Sequence, residues 1–115
     1  MYQKFGVVED YWKETHSQAI DKGRFDVTND AADMYLFKVP SLRNVAMTPP
    51  YFHDGSVATL PEAVRVMGKV QLGKDLSKQD VDAIAAFLGS LTGRLPKDYE
   101  TVPQLPAAAF RPPKE

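Results

Sequence analysis

The sequence contains no cysteine. Disulfide bonds, thiolate zinc sites, iron–sulfur clusters and thiol nucleophiles are therefore excluded. A haem attached through thioether bonds is excluded as well, because the C-x-x-C-H attachment motif needs two thiols. Any metal or cofactor that this chain binds must be held by histidine, methionine, carboxylate or carbonyl groups.

An excess of charge of either sign is also lacking. The chain has 14 lysine and arginine residues against 15 aspartate and glutamate residues, with a formal net charge of −1. No basic field is therefore present to attract nucleic acid or anionic lipid. No apolar run approaches the roughly 18 residues of a membrane span, and no basic segment followed by an apolar stretch predicts an export signal. The length of 115 residues predicts one domain.

The first strong helix signal begins near residue 59. Thr59 and Glu62 have the spacing of a capping box, and Pro61 suits the first turn of a helix. An apolar face follows at the i, i+3, i+4, i+7 spacing and comprises Leu60, Ala63, Val64 and Met67. Gly68 and Gly73 bracket the expected end of this helix.

A second helix is predicted to begin at Ser77 and to end with Gly93 as a left-handed cap. Its expected buried stripe comprises Val81, Ile84, Ala85, Leu88 and Leu91, with Phe87 beside it. Residues 34–39 alternate loosely and predict a short extended segment, and residues 41–45 predict one helical turn capped by Ser41. Residues 96–115 include five prolines and predict an extended tail.

His53 lies in the sequence Pro-Pro-Tyr-Phe-His-Asp-Gly-Ser, where the prolines and the Asp-Gly pair predict a fixed loop. An imidazole beside the Asp54 carboxylate would suit a ligand, a proton relay or a partner for a haem propionate. The alternative is a structural histidine that donates to a loop carbonyl. A mononuclear metal hydrolase built on His53 and Asp54 lacks the further ligands that such a site needs.

Met67 lies on the apolar face of the first predicted helix. Methionine in that position usually fills gaps in a core. The alternative is a thioether ligand to haem iron, a soft ligand that stabilises ferrous iron and raises the reduction potential. Gly68 would let the backbone approach a flat ring closely.

Two further sets of groups are candidates for a site. The backbone carbonyls of Thr48 and Pro50 lie in a constrained loop and could serve a hard cation such as Ca²⁺, unless the prolines only shape the loop. Arg43 and Arg65 could neutralise haem propionates or form ordinary surface ion pairs.

Four sequence segments together resemble one known family. Residues 37–56 read FKVPSLRNVAMTPPYFHDGS, and they are accompanied by YQKFG at 2–6, EAVRVMG at 62–68 and QLGKDLS at 71–77. These motifs, in this order over residues 2–95, closely resemble the bacterial di-haem cytochrome c peroxidases, which include the MauG-type enzymes.

The resemblance implies the C-terminal, high-potential haem domain, an all-α cytochrome-c-like fold with long ordered loops. Residues 1–95 would be a partial domain and 96–115 a proline-rich C-terminal tail. Met67 would be the distal ligand of haem c, and the backbone oxygens of Thr48 and Pro50 would bind Ca²⁺. The haem surroundings would comprise His53, Tyr51, Phe52 and Arg65.

The function that the resemblance implies is reduction of hydrogen peroxide to water in the periplasm. The donor would be a small c-type cytochrome or a cupredoxin, and this domain would accept and relay its electrons to an N-terminal haem domain. Because the C-x-x-C-H motif is absent, we expect the isolated chain to be inactive and to dimerise through the apolar face around Met67. The alternative is a haem-free binding module on the same scaffold.

Overall fold

Two 13-residue helices dominate the computed structural model, which describes residues 1–104. The long helices are α3 (Leu60–Leu72) and α4 (Lys78–Ser90). Shorter elements precede them: β1 (Tyr2–Lys4), α1 (Tyr11–Thr15), α2 (Phe25–Thr28), β2 (Leu36–Lys38), and single 3₁₀ turns at Ala31–Asp33 and Val45–Met47. No helix in the described part of the chain has the length and apolar character needed to cross a membrane.

The chain contains a small β-sheet, so the expected all-α class needs correction. β1 pairs antiparallel with β2, and Gln3 lies opposite Phe37. The extended segment expected within residues 34–39 is therefore confirmed, and the structure is helix-rich rather than purely helical. The strand β1 was not predicted, because residues 2–20 mix apolar and polar positions without a sustained period.

Helix α3 begins at the expected place but without the expected capping box. The Thr59 side chain makes no capping hydrogen bond, and the Glu62 carboxylate instead accepts two hydrogen bonds from Arg65, at 3.0 and 2.7 Å. The Glu62 carboxylate is thus held in a bidentate, charge-assisted pair with the guanidinium group. The helix ends at Gly73 in the left-handed conformation, with φ of 64°, as expected.

The buried side of α3 differs in part from the predicted face. Val66 and Val70 are fully buried and pack with Ala63 against Tyr51 and Val57. Ala63 and Val64 are buried as expected, whereas Met67 is 40% exposed. A Cβ on Gly68 would lie 2.7 Å from the Leu76 side chain, so this glycine allows the segment before α4 to cross close to α3.

Helix α4 starts as predicted and ends earlier. The Ser77 hydroxyl accepts a hydrogen bond from the Asp80 amide at 3.1 Å. The cap is Leu91 rather than Gly93, and the Gly93 amide donates to the Asn44 side-chain oxygen at 2.6 Å.

The prediction of a buried stripe on α4 is wrong for most of the stripe's residues. Val81 is buried, but Ile84 is 40% and Phe87 62% exposed, and Leu88 and Leu91 are half-buried. The pattern identified the apolar face correctly, and the described residues leave much of that face uncovered.

The segment before α1 is fastened to the end of α3 by Gln71. The Gln71 side-chain oxygen accepts hydrogen bonds from the amides of Gly6 and Val7 at 2.6 and 3.2 Å, and its NH₂ group donates to the Lys4 carbonyl at 2.9 Å. On the other side of α3, the Glu14 carboxylate pairs with Lys69 at 3.1 Å and with Arg65 at 3.7 Å. These contacts hold β1 and α1 against α3.

The proline-rich end is described only in part. Residues 97–104 form no helix or strand, and they are exposed. Residues 105–115 of the expected tail 96–115 lie outside the described residues.

The loop between the Val45–Met47 turn and α3 is closed on itself and bonded to the segment that follows α1. The amide of Tyr51 donates to the Val57 carbonyl at 2.7 Å. Asp54 accepts hydrogen bonds from the Ser17 hydroxyl and, at 3.1 Å, from the Ser56 amide. Partial burial raises the pKa of Asp54, but these hydrogen bonds and the nearby His53 outweigh it, so the pKa lies below its usual value.

Replacing Asp54 with Asn should destabilise the chain at neutral pH and much less in acid. A carboxyl group with a lowered pKa in the folded state stabilises that state above the pKa of about 3.9 that it has when unfolded. The contribution is lost as pH falls through the lower folded pKa. Urea unfolding of the wild type and D54N at pH 7 and at successively lower pH tests this; a difference that is the same at every pH would contradict it.

Candidate functional site

The His53 imidazole lies within a cluster of aromatic rings. It stacks on Phe37 with ring centroids 4.5 Å apart, and the edges of Tyr11 and Phe5 approach it at 5.3 and 6.3 Å. Its Nε2 atom is 3.8 Å from an Asp21 carboxylate oxygen, and its side chain is 24% exposed. The ring is thus held by aromatic packing, with one nitrogen directed towards a carboxylate.

Tyr11 lies at the centre of this cluster and is fully buried. Its ring stacks on Phe5 at 4.7 Å, and its hydroxyl donates to the Asp21 carbonyl at 2.7 Å. Burial is the main cause that raises the pKa of Tyr11 to about 12. The phenol therefore stays protonated near neutral pH and acts as a structural donor.

Tyr51 and Phe52 connect the His53 loop to the core. Tyr51 is buried, and its hydroxyl donates to the Val45 carbonyl at 2.9 Å; burial raises its pKa. Phe52 has a positive φ of 69° and packs on Phe5 with centroids 5.0 Å apart. The structure thus brings Tyr51, Phe52 and His53 together around the aromatic cluster and the core of α3.

Met67 lies outside that cluster, on a part of α3 that is open to solvent. It is 40% exposed, whereas its neighbours Val66 and Gly68 are buried. Helix α3 packs against α4, which in turn contacts the Val45–Met47 turn. Each of these three adjacent segments exposes large apolar side chains, among them Met67, Ile84, Phe87 and Met47.

Arg65 is occupied by carboxylates of the chain itself. Its hydrogen bonds to Glu62 are the main cause that raises the pKa of Arg65 and lowers that of Glu62. Its third nitrogen is 3.7 Å from Glu14. These contacts are the ion pairs that were the alternative to a propionate role for Arg65.

The Thr48 and Pro50 carbonyl oxygens accept no hydrogen bond from residues 1–104. The Thr48 hydroxyl is directed to the Val45 carbonyl at 3.2 Å. Within the same residues, no three histidine or carboxylate side chains come together to hold a metal ion. His53 and Asp54 therefore have no third side-chain ligand there.

The aromatic cluster and the Gln71 contacts were not predicted from the sequence. The cluster joins residues from four separate segments, including Phe5, Tyr11, Tyr35, Phe37 and His53. The available signal was the concentration of aromatic residues in the first half of the chain, which has no helical or strand period.

Curated cytochrome c peroxidases are similar to this chain over most of its length. It is 50% identical over 105 residues, 91% of the chain, to cytochrome c551 peroxidase of Nitrosomonas europaea. The same enzyme of Pseudomonas aeruginosa is 50% identical over 95 residues, 82% of the chain. Cytochrome c peroxidase Ccp of Escherichia coli K12 is 55% identical over 75 residues, 65% of the chain.

The match covers only part of each of these relatives. The chain spans 30% of the Nitrosomonas protein, 27% of the Pseudomonas protein and 16% of the Escherichia protein. No family model matches the chain. Two relatives at 50% identity over most of the chain confirm the resemblance given by the sequence motifs, and the chain belongs to the di-haem cytochrome c peroxidase family.

Proposed function

We propose that this chain is the electron-accepting part of a periplasmic haem peroxidase that reduces hydrogen peroxide to water. The observation that carries the proposal is the 50% identity to two cytochrome c551 peroxidases over 91% and 82% of the chain. A small c-type cytochrome or a cupredoxin would donate the electrons, and a second haem domain would use them.

The donor groups of the chain fit one side of a haem. Met67 presents a soft thioether on a 40% exposed side chain, between buried positions of a well-packed helix. When bound, the haem would accept and release single electrons, and a thioether ligand would favour its ferrous state. Because the chain has no cysteine, it supplies no covalent attachment, and the second iron ligand must come from elsewhere.

Apolar side chains exposed on α4, and on the turn that contacts α4, fit the same group. Ile84 and Phe87 on α4 and Met47 on the neighbouring turn are between 40% and 62% exposed. Exposed apolar side chains on adjacent segments commonly mark a binding surface. A flat apolar macrocycle would cover such side chains and gain their burial.

The remaining candidate residues would act around this group. Tyr51, Phe52 and His53 would fix the loop that packs against α3, with His53 available as a proton donor or acceptor next to Asp21. The Thr48 and Pro50 carbonyl oxygens would supply two ligands to a Ca²⁺ ion, with further ligands from the second domain.

Mixing the chain with microperoxidase, a haem peptide that carries its own histidine ligand, should give a complex in which Met67 ligates the iron. We expect the visible spectrum to change to that of a low-spin haem with two axial ligands. The same binding should lower the peroxidase activity of the haem peptide, because Met67 would occupy the iron coordination position that peroxide needs. A titration followed by absorbance and by activity measures both effects.

Met67→Leu should abolish the spectral change, since leucine keeps the apolar volume without the sulfur. Met47→Leu is the matched control, because Met47 is equally exposed at 40%; it should leave the spectrum of the complex unchanged. A spectral change that survives M67L, or that is lost in M47L, would contradict the role of Met67.

The chain expressed alone should show no peroxidase turnover and no covalently bound haem, because it has no thiols and supplies at most one iron ligand. Denaturation in acid acetone separates a haem that is only adsorbed from one that is attached. A haem absorbance that stays with the denatured polypeptide would refute this expectation.

A second candidate function is a haem-free interaction module that forms a homodimer. The exposed face of α4, with Phe87 62% exposed, favours it. Sedimentation that shows a dimer, together with a failure to bind the haem peptide, would support this reading over the first.

A further inference from the structure

Three oxidisable aromatic rings lie in mutual contact on the side of the fold that contains α1. The centroid of Trp12 is 5.0 Å from that of Tyr35 and 5.3 Å from that of Tyr11. Tyr11 and Tyr35 are themselves 6.3 Å apart. Trp12 is the only tryptophan of the chain, and neither it nor Tyr35 has a role in the proposed haem site.

We propose that Trp12 and Tyr35 form a one-electron oxidation site, in which a radical formed by oxidation of Trp12 is transferred to Tyr35. The contact between the rings makes transfer between them direct. This inference does not depend on the proposed peroxidase function, since any one-electron oxidant that reaches Trp12 would reveal it.

The geometry favours Tyr35 over Tyr11 as the residue that gives an electron to the Trp12 radical. A phenol that loses an electron must also lose its proton, because the oxidised phenol is a strong acid. The Tyr11 hydroxyl is fully buried and donates to the Asp21 carbonyl at 2.7 Å, and a backbone carbonyl is not a base that can take the proton.

Tyr35 can lose its proton to water. Tyr35 is only partly buried, and its hydroxyl has no hydrogen-bond partner among residues 1–104, unlike the hydroxyls of Tyr11 and Tyr51. Trp12 is also partly buried, so an external oxidant and water both have access to the pair. The two tyrosines thus differ in proton release although they lie at nearly the same distance from Trp12.

Oxidation of the pair removes one electron and one proton in total. A one-electron oxidant, such as an oxidising radical, takes one electron from the Trp12 indole and is reduced by one electron. The indole radical cation releases its N–H proton to water and becomes a neutral radical. Tyr35 then gives an electron to that radical and its phenolic proton to water, while the indole nitrogen regains a proton from water.

Pulse radiolysis with the azide radical, which oxidises tryptophan in preference to tyrosine, tests the proposal on the full chain. The tryptophan radical should decay as a tyrosine radical appears, at a first-order rate that does not change with protein concentration. Transfer should be slower in D₂O, because a proton leaves Tyr35. The single tryptophan ensures that the starting radical is on Trp12.

Tyr35→Phe should abolish the first-order transfer, whereas Tyr11→Phe should retain it. Tyr51→Phe is the matched control: it also removes a hydroxyl from a buried ring, one that donates to the Val45 carbonyl, and Tyr51 is not among the rings in contact with Trp12. Circular dichroism establishes that each variant is folded. First-order transfer that persists in Y35F, or that is lost in Y11F, would overturn the assignment.

Discussion

The packing of α3 is the constraint on which the rest of the structure depends. Val66 and Val70 are fully buried against Tyr51 and Val57, and this one contact joins the His53 loop to the helix that carries Met67. Gln71, one helical turn after Met67, binds the backbone before α1. The backbone of a helix held from several directions has little freedom, which helps to place a metal ligand.

The sequence predicted elements where a local signal decides the structure. The Ser77 cap of α4 and the Gly73 end of α3 are confirmed, because each depends on residues within one turn. The Thr59–Glu62 capping box is absent, and Glu62 pairs with Arg65 instead. The α4 stripe failed because a pattern shows which side of a helix is apolar, but it does not show whether the same chain covers that side.

The candidate site, too, was predicted from the sequence only in part. Motif resemblance predicted the family, which the comparisons confirm. The setting of His53 was not predictable, because its partners Phe37, Tyr11 and Phe5 come from separate segments that meet through the β1–β2 pairing and the Gln71 contacts. The same long-range contacts create the Trp12–Tyr35 pair. Local patterns carry no information about contacts of this kind.

We propose that Met67 is the iron ligand of a haem that this chain covers from one side. The most direct test is an NMR spectrum of the chain labelled at its four methionine methyl groups, recorded with and without the reduced haem peptide. A methyl group on a sulfur bound to iron lies over the macrocycle, and its ring current moves the resonance far upfield. We expect the Met67 signal alone to move in this way; an unmoved Met67 signal, or the move of another methionine, would contradict the assignment of Met67 as the ligand.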